Sequence, residues 1–94
     1  MSVILLNPFE VPAGKEEEAL EMWERGAAVM RKSPGFIATR LHRAVSPDAR
    51  FLLINMAEWE SPQHFLAAAD TDEFKATLTS MFPHFPGLYE VIRT

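Results

Sequence analysis

The stretch 51-FLLINMAEWESP-62 decides how this chain folds. Phe51 to Ile54 is an apolar run too short for a typical helix, and it reads as a strand covered on both faces. Alternate residues of a strand point to the same side, so Phe51, Leu53, Asn55, Ala57 and Trp59 share one face. That face sets an amide and an indole N–H among hydrophobic neighbours, as the wall of a small pocket would. Packing alone offers a plainer account, with Trp59 a core aromatic and Asn55 a bulge or edge residue. Ser61-Pro62 then starts a helix at once, with Ser as its cap and Pro at its first position. The strand-to-helix corner therefore holds Trp59 in a defined place.

On the N-terminal side, residues 36–44 (FIATRLHRA) read as a second strand, joined to the first by the turn-forming SPDAR of residues 46–50. Strict alternation puts Ile37, Thr39 and Leu41 on one face and Phe36, Ala38, Arg40 and His42 on the other. Residues 3–11 (VILLNPFEV) form another strand, in which Asn7 and Phe9 share a face with Val3 and Leu5. Pro8 lacks a donor, which predicts an edge position or a bulge there. Between these strands, residues 15–33 form the clearest helix. Glu16, Glu17 and Glu18 suit its positive end, Arg31 and Lys32 suit the other, and Pro34-Gly35 stops it. Leu20, Trp23, Ala27 and Met30 recur at helical spacing and form its apolar stripe.

On the C-terminal side, a helix with Phe65, Leu66 and Ala69 apolar follows Ser61. Asp70, with Glu73 three residues on, has the spacing of a capping box and predicts a further helix, with Phe74, Leu78, Met81 and Phe82 as its buried stripe. After the loop 83-PHFPG-87, Leu88 to Arg93 alternates as a last strand. The order strand, helix, strand, strand, helix pair, strand is the ferredoxin-like βαββαβ arrangement of the α+β class. Its four-stranded antiparallel sheet carries the helices on one side. Residues 1–94 are expected to form one domain.

Composition narrows the partners. A net charge of −4 with no basic run argues against nucleic acid or an anionic membrane as partner. No apolar segment approaches membrane-spanning length, no export signal is visible, and a cytoplasmic location is expected. The chain has no cysteine, which removes disulfides, thiolate catalysis and zinc–thiolate sites. Its three histidines do not converge with carboxylates at helical spacing, so no metal site is expected. Val3 to Leu6 and Leu52 to Ile54 offer apolar side chains to both sheet faces, whereas the helices can cover only one. The uncovered face predicts a homodimer packed sheet against sheet.

The βαββαβ order, NPFEVPAGKEEE, the PGF before the second strand, LINMAEWES and the terminal LYEVIR together resemble the antibiotic biosynthesis monooxygenase family over essentially the whole chain. The resemblance implies a dimeric α+β barrel. Cofactor-independent members of that family oxidise polycyclic phenols to quinones, and are similar to this chain in having an Asn and a Trp four residues apart on the third strand. Asn55 and Trp59 match that pair. Haem-degrading members use a first-strand Asn, a third-strand Trp and an axial His on the late helix. Asn7 and Trp59 match the first two, but Leu78 stands at the ligand position and cannot bind iron.

The expectation is thus a monooxygenase acting on a phenolic aromatic with O2 and without a cofactor. Asn55 and Trp59 would orient the substrate and stabilise charge, with His84 as candidate general base. Asn7, Trp23, Phe74 and Leu78 would bind the substrate. A non-catalytic dimeric module holding a small apolar ligand is the alternative, and haem degradation ranks third.

Overall fold

The strands expected from the sequence form one four-stranded antiparallel sheet in the order β2-β3-β1-β4, although β3 begins at Leu53 and leaves Phe51 outside it. The computed structural model describes residues 2–78 and 82–94. Its elements run β1 (Val3–Phe9), α1 (Glu16–Arg31), β2 (Phe36–Arg43), β3 (Leu53–Trp59), α2 (Pro62–Ala69), α3 (Asp72–Lys75) and β4 (Gly87–Tyr89). This is the ferredoxin-like order, with the helices laid on one face of the sheet. Cα extents of 37 × 36 × 16 Å describe a plate two layers thick.

The register of the central pair is what makes a site possible. β1 and β3 align Leu5 with Ala57, Asn7 with Asn55 and Phe9 with Leu53, all on the helix side. The apolar core is accordingly in two pieces. Leu5, Ala57, Trp59 and Ala68 form one, while Phe9, Ala19, Met22, Leu53 and Phe82 form the other. The Asn7–Asn55 rung lies between them. A polar rung in the middle of a covered sheet face is costly to bury without partners, at about 1–3 kcal/mol for an unpaired amide group.

Several details depart from sequence expectation. Pro8 is in a central strand and not at an edge. Pairing of β1 with β4 stops at Leu6 opposite Gly87, and beyond it Phe85 N donates to Pro8 O at 3.1 Å. N–H and C=O of a strand residue point the same way, so the donor Pro8 lacks falls where the β4 ladder has already given out. A register shift between Phe36 and Ala38 marks a β-bulge. It turns Phe36 inward beside Thr39 and Leu41 and leaves Ile37 exposed, reversing the expected alternation at that end. Leu53, Ala57 and Trp59 are buried, whereas Ile54 on the opposite face is 38% exposed, so a single chain covers β3 on one face only.

Ser61 caps α2 as expected, its hydroxyl accepting from His64 N. Asp70 does not cap α3. Thr71 does, accepting from Phe74 N at 3.1 Å, because Asp70 closes α2 and pairs with Lys75. Glu73 reaches Lys32 on α1 and takes no part in a capping box. α3 is a single turn, so the expected stripe is truncated: Phe74 is half-buried, Leu78 is exposed, and Met81 lies outside the described residues. The last strand is likewise shorter than expected and ends at Tyr89, leaving Val91 and Ile92 exposed. On α1 the sheet side carries Ala19, Met22, Ala27 and Val29 as its buried residues. Leu20, Trp23 and Met30 of the expected stripe are only half-buried.

Candidate functional site

Between the two apolar clusters lies a cavity of about 530 Å³, within the range that holds a drug-sized ligand. Its floor is the sheet, with Asn7, Asn55, Ala57 and Trp59. Met22, Trp23, Gly26 and Met30 of α1 roof it, Phe74 and Leu78 close one side, and His84 and Pro86 stand at the rim. All seven residues singled out from sequence (Asn7, Trp23, Asn55, Trp59, Phe74, Leu78, His84) line this one space.

Asn55 is held at one end of its amide. Trp23 Nε1 donates to Asn55 Oδ1 at 3.1 Å, and Thr39 Oγ1 donates to the same oxygen at 2.8 Å. Thr39 has a second acceptor within reach in Met56 O, at 3.1 Å. An indole N–H can only donate, so the atom facing it must be the oxygen. The two N–H groups of Nδ2 remain as what Asn55 can offer a bound molecule. Trp23 is steadied from outside by the guanidinium of Arg31, 5.8 Å from its ring centroid.

Trp59 is the most buried large side chain, at 1% exposure, packed edge-on by Phe36 at 5.4 Å and Phe65 at 5.7 Å. Its Nε1 is nevertheless buried without a partner, as is Asn7 Oδ1. Buried polar atoms are paired in the great majority of cases, and exceptions cluster where a ligand or water completes the set. Trp59 is therefore both a core aromatic and a cavity residue with an unspent donor.

His84 is exposed, with its ring stacked on Phe9 at 5.4 Å and an interplanar angle of 12°. The loop that carries it is tied to the end of β1 through Glu10 N to Pro83 O (2.9 Å) and Phe85 N to Pro8 O (3.1 Å). Arg50 adds a further tie. It pairs with Glu10 at 2.7 Å while lying over the rings of Phe51 (4.8 Å) and Phe85 (5.6 Å). The histidine thus sits between cavity and solvent.

Sequence reasoning missed Thr39 and Gly26. Thr39 was legible in principle: it is the lone polar residue between Leu41 and the bulge on the inner face of β2, one rung from Asn55 on the neighbouring strand. Gly26 was not, because only the fold shows that it lines the cavity opposite Phe74 and Thr77. A Cβ there would touch Phe74 Cε1 at 3.4 Å and Thr77 Oγ1 at 3.5 Å.

The lining is otherwise apolar. Apart from His84, its one ionisable side chain among the described residues is Lys75, paired with Asp70 at 3.0 Å. No group of three or more His, Cys, Asp or Glu able to hold a metal occurs among the described residues, nor a helix long and apolar enough to cross a membrane.

Residues 2–80 match the family described as antibiotic biosynthesis monooxygenase. A Shewanella loihica protein provisionally described as a monooxygenase is 41% identical, with a TM-score of 0.88 over 99% of this chain and 96% of that one. SnoaB, a cofactor-independent oxygenase from Streptomyces nogalater, is 26% identical, with a TM-score of 0.83 over 99% and 95%. A mycobilin-producing haem oxygenase of Mycobacterium tuberculosis is 34% identical over 70 residues, a match spanning 74% of this chain and 65% of that relative.

Proposed function

We propose that this chain, which belongs to the antibiotic biosynthesis monooxygenase family, oxidises a flat, neutral, phenolic aromatic with O2 and without a cofactor. The observation that carries this reading is the polar rung in an apolar cavity: Asn55 with Oδ1 engaged and Nδ2 available, beside Asn7 and the unpartnered Trp59 N–H. Such a cavity holds an aromatic skeleton by burial and addresses only its oxygen atoms. A lining whose one lysine is already paired suits a substrate without carboxylate or phosphate.

The chemistry then needs little from the protein. A phenol in its keto form carries an acidic methylene. His84 at the rim takes one proton from it, and the resulting enolate is rich enough to give an electron to O2. Recombination forms a C–O bond and a hydroperoxide, which loses water to leave a ketone. The atoms balance: one oxygen atom of O2 ends in the new carbonyl, and the other leaves as water with both methylene hydrogens. The substrate itself is the reductant. Asn55 Nδ2 donates to the oxygen on which negative charge grows, and Trp59 Nε1, buried without a partner, is the second donor. Such preorganised donors are worth most where water is excluded. Trp23, Phe74 and Leu78 confine the rings, and Asn7 accepts from a ligand hydroxyl.

Haem degradation is the disfavoured reading of this wall. Leu78 offers no lone pair to iron, and His84, the histidine of the lining, has its ring stacked on Phe9. Lys75, the one lysine of the described lining, already pairs with Asp70. Haem titration is expected to give no sharp histidine-ligated Soret band; a stoichiometric complex abolished by His84→Ala would reverse the ranking of the two chemistries.

The sheet face away from the helices, with Ile54 exposed, is proposed to pack on a second copy. Sedimentation equilibrium should then give about twice 10.6 kDa, and a non-associating monomer would remove this element. The oxygenase reading itself is tested by O2 uptake with an anthrone. Turnover that Asn55→Ala lowers about a hundredfold, with the fold retained, is the expected result. If aromatic ligands bind and none of the phenols is oxidised, a ligand-binding module replaces the enzyme.

A further inference from the structure

The Asn55 amide is held by two donors of different kinds, and the difference has a consequence for what the cavity selects. Trp23 Nε1 can only donate. Facing it with Nδ2 would set two donors against each other, so the indole forbids a flipped amide. Thr39 is permissive. Its hydroxyl can donate to Asn55 Oδ1 at 2.8 Å, or donate to Met56 O at 3.1 Å and accept from a flipped Nδ2. The indole therefore sets the polarity of Asn55, and the threonine sets its position.

We propose that Trp23 and Thr39 are positioning residues that lock Asn55 with its N–H groups toward the cavity, so that the site selects ligands presenting an acceptor oxygen, a ketone or phenolate, over hydrocarbons of the same shape. This deepens the oxygenase reading and rests on it for its role in turnover, but the selectivity belongs to binding alone. Three observations support it. Both donors converge on one oxygen. Arg31 stacks on the outer side of Trp23 and steadies the ring that makes the decision. Asn7, the cross-strand neighbour of Asn55, has its own Oδ1 unpaired, so the N–H groups of Asn55 are not spent on it.

The test compares anaerobic binding of 1,4-naphthoquinone and naphthalene to the full chain by NMR titration, with no turnover required. The two ligands share a skeleton, so their affinity ratio cancels changes in cavity shape, and the absence of cysteine removes quinone addition to thiols. The native chain should prefer the quinone about tenfold or more, one hydrogen bond's worth. Asn55→Asp keeps the acceptor for Trp23 and Thr39 but has no N–H to give, and should abolish the preference. Trp23→Phe frees the amide to flip and should reduce it several-fold, while Thr39→Ser should retain it and Thr39→Val should fall between. A merely structural role would lower the melting temperature of these variants and leave the ratio untouched. No quinone preference in the native chain, or a preference that survives Asn55→Asp or Trp23→Phe, overturns the proposal. If the preference behaves as stated and no phenol is ever oxidised, the oxygenase reading falls and the amide assignment stands.

Discussion

Trp59→Phe separates packing from chemistry, because the structure assigns opposite signs to two parts of its effect on stability. Trp59 is 1% exposed, and replacing indole by phenyl gives up burial. The smaller ring loses roughly 50 Å² of aromatic surface, about 1.3 kcal/mol at ~25 cal/mol per Å², with a further cost for any void. Against that, the indole N–H is buried without a partner, and removing an unsatisfied buried donor returns about 1–3 kcal/mol. The net change should lie within about 2 kcal/mol of zero, a melting-temperature shift of at most ~15 °C for a domain of this size. Truncation to Ala, by contrast, should cost about 3–5 kcal/mol. If the same N–H serves a developing oxyanion, turnover per folded protein should fall on the order of a hundredfold. Calorimetry and O2 uptake on one preparation read both effects. A collapse in melting temperature comparable to that of the Ala variant would mean the donor has a partner in solution, and the stability argument fails. Unchanged turnover would leave Trp59 as a packing residue alone.

Gly35→Ala should be severely destabilising, by about 3 kcal/mol or more in chemical denaturation. Gly35 has φ +85°, and a Cβ there would overlap the His64 side chain, which Ser61 holds in place at 2.7 Å. Gly26→Ala should do the reverse. Its Cβ meets Phe74 and Thr77 at ordinary contact distances, so helix propensity favours the variant by up to ~1 kcal/mol, while the cavity narrows and bulkier ligands bind more weakly.

Strand identity was legible because the apolar runs are short and bounded by Pro, Gly and turn clusters. The pairing of Asn7 with Asn55 follows once Val3 is set opposite Trp59. What failed was local competition that composition does not display. Asp70 and Thr71 can each cap a helix, and the choice went to Thr71 once Asp70 had closed α2 and found Lys75. Alternation in β2 failed at its first rungs, where the bulge between Phe36 and Ala38 adds a residue to one strand. Nothing in the order of FIATRLHR requires a bulge. Its benefit appears only in three dimensions, where the Phe36 ring packs nearly perpendicular to Trp59.

The candidate site was legible as residue types and illegible as a network, for a physical reason. Asn55 and Trp59 both look like free donors when read along β3, since sequence shows only that they share a face. In the fold their situations diverge. Asn55 is restrained by partners 32 and 16 residues away in the chain, Trp23 and Thr39, and its function depends on which end of the amide they occupy. Trp59 has aromatic edges and no polar partner at all. A hydrogen bond that fixes orientation and an unmade one that invites a ligand are indistinguishable in a string of letters. They differ in their response to mutation, however. Loss of Trp23 should change what Asn55 selects without emptying the cavity, whereas loss of the Trp59 N–H should cost the fold little and the reaction much. Equal responses from the two residues would mean that the polar rung is structural throughout.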